Sequence, residues 1–178
     1  MRVRDHPDAD AAELRGLAAA AGPHDEWFVR DEGRGGLQVT LDAAAGGGAH
    51  DRMLRVLFSG GAVGANAGPW LFFVGLWTPE DYRDEFLAWY RFEHLPILLE
   101  HAAWAGCRFT EQPVERGCQF FALHQLRDRA ALDSAQRKLS RATPWFRRLA
   151  QQPWFDGAFT RSLYTTVPPP HRAGGGAA

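Results

Sequence analysis

Trp70-Leu-Phe-Phe-Val-Gly-Leu-Trp-Thr-Pro-Glu-Asp-Tyr-Arg-Asp-Glu-Phe-Leu-Ala-Trp-Tyr-Arg-Phe-Glu-His-Leu-Pro96 reads as a strand, a turn and a helix in succession. The apolar or small run from Trp70 to Leu76 suits a strand covered on both faces. Thr78 serves as N-cap and Pro79 as first helical residue, where a missing amide leaves no bond unmade. Tyr82, Phe86, Trp89 and Tyr90 then recur at helical spacing and form one apolar stripe. The next turn of that stripe falls on Glu93 and His94, an acid and an imidazole where the pattern calls for core. Pro96 predicts that the helix ends near Leu95.

Working outward, the chain after Leu95 has one further turn at Ile97 to His101, then a strand from Trp104 to Glu111. A loop leads into a third strand, Cys118 to Leu126. Helical signals return from Asp128, are interrupted at Pro144 and resume to Leu149, and a last strand lies within Phe155 to Val167. Toward the N-terminus, a short strand at Arg2 to Arg4 precedes a helix capped by Asp8 or Asp10 that ends before Gly22-Pro23. Glu26 to Arg30 and Leu37 to Leu41 form a hairpin across Gly-rich turn chemistry. Ala43 to Ala49 is a flexible connector. A short helix is expected from His50 or Asp51 to Phe58, with Met53, Leu54, Leu57 and Phe58 on one side. The Gly/Ala segment 60–68 is the clearest boundary, which divides the chain into 1–67, 68–167 and a Pro/Gly-rich disordered tail, 168–178.

Composition bounds the rest. The chain has 178 residues, 46% hydrophobic and 23% charged, as expected of a globular protein. A formal net charge of −1 offers no basic field for nucleic acid or an anionic membrane. No window is apolar for long enough to span a bilayer. The Arg-, Ala- and Gly-rich composition fits a GC-rich, bacterial coding bias. With no signal-peptide pattern at the start, the expected location is cytoplasmic. Cys107 and Cys118 are then expected as reduced, half-buried thiols. No metal-ligand spacing, nucleophile elbow, P-loop or dinucleotide fingerprint is present.

The order strand–helix–strand–strand–helix–strand in 68–167 is that of a ferredoxin-like α+β unit, an antiparallel sheet with helices on one face. Its strands are apolar on both faces, so the face without helices needs a second sheet. Either a second copy of the chain supplies it, as a homodimer, or residues 1–67 do, as an internal pseudo-dimer. The N-terminal third has a fragmentary form of the same element order, consistent with a degenerate half-repeat.

Trp89-Tyr90, Glu93-His94-Leu95-Pro96, Trp104 to Phe109, Thr143-Pro144-Trp145 and Arg161 to Tyr164 together resemble the dimeric α/β-barrel superfamily, in particular its EthD-like branch. The resemblance covers 69–167. The Pro-Gly usual in that branch is Ala102-Ala103 here, and 1–67 matches nothing in it. It implies a ferredoxin-like barrel and, loosely, a role in specialised metabolism as a cofactor-free monooxygenase, cyclase or isomerase, or as a haem protein.

His94, assisted by Glu93, is the candidate catalytic pair, because a titratable group in an apolar setting is suited to proton transfer. Alternatively His94 caps its helix and Glu93 pairs with Arg108 or another nearby arginine. Tyr82, Trp89, Tyr90, Trp104, Arg108, His124 and Tyr164 are candidates for binding a hydrophobic, aromatic or polyketide-like ligand. His124, on the face of Phe120 and Ala122, is either a second pocket group, an axial haem ligand, or a strand-end histidine. No cofactor is expected, with haem the alternative. The leading reading is a small-molecule enzyme using acid/base chemistry; the others are a haem-binding barrel and a non-catalytic ligand-binding or assembly domain.

Overall fold

Strand β6, Trp70–Thr78, lies inside a nine-stranded antiparallel sheet, paired with β8 (Cys118–Leu126) on one side and β9 (Phe159–Val167) on the other. The computed structural model describes residues 1–22, 24–41, 48–64 and 66–167. Its other strands are β1 (Arg2–His6), β2 (Asp25–Arg30), β3 (Gly36–Thr40), β4 (Asp51–Met53), β5 (Arg55–Gly61) and β7 (Trp104–Pro113). The order across the sheet is β4-β1-β3-β2-β9-β6-β8-β7-β5. Within it, β9-β6-β8-β7 is the ferredoxin-like arrangement, and the chain has that α+β fold. The strands of the N-terminal third run in the corresponding order, β4-β1-β3-β2.

The two ends of the sheet are neighbours in sequence. β4 pairs with β1 and β5 with β7, and only Leu54 separates them. Leu54 exchanges backbone hydrogen bonds with Met1 and points into the core. β4 and β5 thus run on as nearly one strand that joins the two ends of the sheet and closes it into a barrel. The seam is tight: a Cβ on Gly106 would stand 2.2 Å from the Ala62 carbonyl oxygen, so only glycine fits there.

Inside the barrel, Val3, Phe28, Leu37 and Val39 from the N-terminal third pack against Leu71, Phe73, Phe121 and Leu123. The second sheet that the two-sided apolar strands require is thus supplied within the chain. Outside, the helices following β6 cover Phe109, Phe120 and Ala122 with Phe86, Trp89, Tyr90 and Leu95. These helices are α2 (Arg83–Trp89), a π turn (Tyr90–His94) and α3 (Leu95–Leu99). After β8 come a 3₁₀ turn (Arg129–Asp133), α4 (Ala135–Ser140) and α5 (Pro144–Ala150). The N-terminal helix α1 (Ala11–Ala19) is closed by a capping box between Asp10 and Glu13.

Three expectations are corrected. The segment 50–58 is strand, not helix: a bulge between Val56 and Phe58 turns the adjacent Leu57 and Phe58 toward the helix-covered core, which in sequence mimics a helical stripe. The chain stays helical through Pro96 to Leu99, because the π turn just before it carries the amide-to-carbonyl bond from Leu95 back to Tyr90 and absorbs the break. Pro144 opens α5 as its first residue, behind the N-cap Thr143, and does not merely interrupt a longer helix. The tail 168–178 and most of the 43–49 connector lie outside the described residues.

Candidate functional site

The π turn sets the geometry of the site. Residues five apart on an α-helix diverge by about 140°, but a π turn holds more residues per turn and brings them together. Trp89 and His94, five apart, consequently have ring centroids 4.6 Å apart, and Tyr90, four before His94, lies 4.9 Å from it. Single π turns of this kind recur at functional sites. Glu93 is rotated away. Its Oε1 accepts a 2.6 Å hydrogen bond from Thr143 Oγ1, which itself accepts from the Phe146 amide. Glu93 thus fastens the start of α5 to the π turn and does not pair with Arg108.

Between these helices and the outer face of the sheet lies a cavity of about 70 Å³. That is several times the space one ordered water needs and about half that of a cavity that admits benzene, so an aromatic ligand held here would extend past the exposed Arg141 and Arg161. Its walls are Phe72, Val74, Trp104, His124 and Phe159 from the strands, and Trp89, Tyr90, His94, Leu98, Phe146 and Phe155 opposite. Arg137 from α4, Arg141 from its C-cap and Arg161 from β9 complete the lining.

Two imidazoles face this space in an apolar setting. Burial lowers the pKa of His94 to about 4, and Arg141 and Arg137 add to the effect while the Ser140 backbone opposes it. His124, 2% exposed, is lowered to about 3, again by burial first and then by His94 and Arg137. Both rings are therefore neutral at pH 7. His124 Nε2 lies 2.5 Å from Tyr90 Oη, and burial keeps that phenol protonated by raising its pKa well above the ordinary value. The Nδ1 atoms of both histidines are buried with no protein partner, as are the indole nitrogens of Trp89 and Trp104. Buried polar atoms left unpaired are rare in native proteins and ask for an explanation, a bound ligand among them.

Of the residues singled out from sequence, His94, Trp89, Tyr90, Trp104 and His124 meet at this cavity. The other four lie elsewhere. Tyr82 donates to Gln152 Oε1 at 2.7 Å and packs on Trp154. Arg108 makes a two-pronged ion pair with Glu26, and Tyr164 sits in the core inside the barrel. Glu93 borders the cavity through its neighbour only. Sequence reasoning missed the three arginines and the two phenylalanines from α5 and the loop after it. Arg161 had a signal: on β9 it falls between Phe159 and Leu163 in period-two alternation, a charge on the face of two half-buried apolar residues. Arg137 and Arg141, four apart on a polar-looking helix, had none.

Cys107 and Cys118 are free, buried thiols, and burial raises the pKa of both. Among the described residues no cluster of His, Cys, Asp and Glu is placed to hold a metal, and no helix is long and apolar enough to cross a membrane.

No protein-family model and no curated protein matches the chain. Solved structures do. A ferredoxin-fold protein related to antibiotic biosynthesis monooxygenases, from Listeria monocytogenes, is 15% identical, with 94% of each chain covered and a TM-score of 0.59. A haem-degrading enzyme from Listeria monocytogenes is 13% identical over 93% of this chain and 99% of its own, at a TM-score of 0.62. An anthrone oxidase-like protein is 11% identical over 94% and 91%, also at 0.62. At these identities the similarity is one of fold: the chain shares its ferredoxin-like fold with these proteins over nearly its whole length.

Proposed function

We propose that the chain is a small-molecule enzyme that removes a proton from a hydrophobic, aromatic or polyketide-like substrate held in the cavity beside the π turn. The observation that carries this reading is the pair of neutral imidazoles, each with a buried and unpartnered Nδ1, at one aromatic cavity. A neutral imidazole is ready to accept a proton, and apolar walls strengthen its interaction with a developing charge. His94 is the general base. Glu93 holds the π turn against Thr143 and so positions it. The Tyr90–His124 pair is a second proton-handling unit within reach of the same space.

Proton loss from an activated C–H leaves a carbanion or enolate, from which cyclisation and isomerisation both proceed. Cofactor-free oxygenation is the favoured outcome, since structural neighbours are named as monooxygenase-related and anthrone oxidase-like proteins. In that case dioxygen accepts the carbanion's electrons and adds to carbon; loss of water from the hydroperoxide then yields a ketone. The EthD-like resemblance of the Glu93 to Pro96 segment supports the same class of chemistry, though fold likeness alone does not select it.

Haem is the second reading, because one neighbour is a haem-degrading enzyme. The residues present do not fit it. His124 Nε2 is already against Tyr90, and His94 is packed against the Trp89 and Tyr90 rings, so neither imidazole is placed as an axial ligand.

The test is oxygen uptake with anthrone as substrate. The wild-type protein is expected to turn it over, and His94→Ala to lose turnover with a melting temperature nearly unchanged. Equal rates in the two proteins would reject His94 as the base.

A further inference from the structure

Three guanidiniums line the cavity, and among the described residues no carboxylate does. Arg137 comes from α4, Arg141 from the C-cap that follows it, and Arg161 from β9. Elsewhere in the molecule several arginines are matched with acids, among them Arg4 with Asp51, Arg83 with Glu111, Arg108 with Glu26 and Arg148 with Glu85, while others among the described residues, such as Arg15 and Arg147, are exposed without such a pair. Among the described residues none of the three cavity arginines has such an ion pair. Instead each lies over an aromatic ring: Arg137 over Phe72 at 5.7 Å, Arg141 over Phe146 at 5.9 Å and Arg161 over Phe159 at 4.7 Å. Arg137 also donates to the Leu132 carbonyl.

The three charges work against one another. Burial lowers the pKa of both Arg137 and Arg161, and repulsion from the neighbouring arginines lowers them further; Asp133 offsets this in part for Arg137. A chain with 21 acids and 20 Lys and Arg has acids enough to pair these residues, yet none of the described ones lines the cavity. Guanidiniums stacked on rings keep their N–H edges free for a planar anion, which they bind in a fork.

We propose that the cavity selects an aromatic or polyketide-like carboxylate, its ring system among the aromatic walls and its carboxylate among Arg137, Arg141 and Arg161. The proposal rests on the cavity being the ligand site and adds the ligand's charge. It also gives the arrangement a division of labour: the anion fixes the ligand at the arginine side and leaves its ring toward His94 and His124.

The experiment compares 2-naphthoate with its neutral, near-isosteric amide, 2-naphthamide, by quenching of tryptophan fluorescence, since Trp89 and Trp104 line the cavity. The wild-type protein is expected to bind naphthoate more tightly than naphthamide, with an affinity that falls as salt rises. The exposed pair is replaced in R141Q/R161Q, which should cost naphthoate about tenfold per guanidinium and leave naphthamide unaffected. R15Q/R147Q removes the same charge from exposed positions outside the cavity and should change neither. Equal binding of the two probes, or an equal loss in both double variants, would overturn the proposal while leaving an aromatic-binding site intact. Failure of both probes to bind would overturn it together with the site. Selective naphthoate binding with no effect of His94→Ala on turnover would uphold this proposal and sink the catalytic one.

Discussion

A histidine kept neutral by burial stores a dependence on pH. His94 and His124 have folded-state pKa values near 4 and 3, against an ordinary value of 6.5. The folded state thus refuses protons that the unfolded chain accepts. Stability is whole above about pH 6.5 and declines as the pH falls toward the folded values, by up to about 1.4 kcal/mol per unit for each ring. Urea midpoints measured from pH 7.5 to pH 5 should fall accordingly, and His94→Gln should make the fall shallower. A flat profile in the wild-type protein would mean that the rings are solvated, and the dry cavity would be lost with it.

At the scale of elements, the π turn is the part that makes a site out of a helix. Deleting Phe92, whose side chain is 69% exposed, removes the extra residue. The helix should then become regular and keep its far-UV signal, while His94 swings by about 100° relative to Trp89 and aromatic ligands no longer quench the tryptophans. Unchanged quenching would show that the π turn is incidental. This element also shows what sequence can and cannot disclose. His94 and His124 were visible because polar residues intruded on apolar patterns, and β6 and β8 because their apolar runs were long. The π turn was hidden, since Pro96 reads as a stop in any pattern built on a 3.6-residue period. Segment 50–58 was misread for a related reason: a bulge puts Leu57 and Phe58 on one side, as a helix would. Arg137 and Arg141 were hidden by chemistry, because two arginines on a helix look solvated until the fold brings an aromatic wall against them.

At the scale of the whole molecule, closure of the sheet makes the two parts of the chain interdependent. Segments 1–67 and 68–167 share the core inside the barrel, and β2 and β7 are tied across it by Glu26 and Arg108, whose side chains are 13% and 11% exposed. Unfolding by urea should therefore give one transition, coincident by circular dichroism and fluorescence. Arg108→Ala, which strands a buried carboxylate, should shift it by about 3 kcal/mol. Two separate transitions would mean that the parts fold independently. We propose that the matching strand orders of the two parts record an internal repeat. In that repeat only the C-terminal part retains the set of helices that builds a cavity, while the N-terminal strands complete the barrel that carries it.

The central claim is that His94 takes a proton from a molecule bound beside it, and hydrogen exchange measures that step whatever follows it. Anthrone incubated without oxygen in deuterated buffer should take up deuterium at its methylene carbon faster with the wild-type protein than in buffer alone, and at the buffer rate with His94→Ala. Exchange at the buffer rate with the wild-type protein, or equal acceleration by both proteins, would contradict the account.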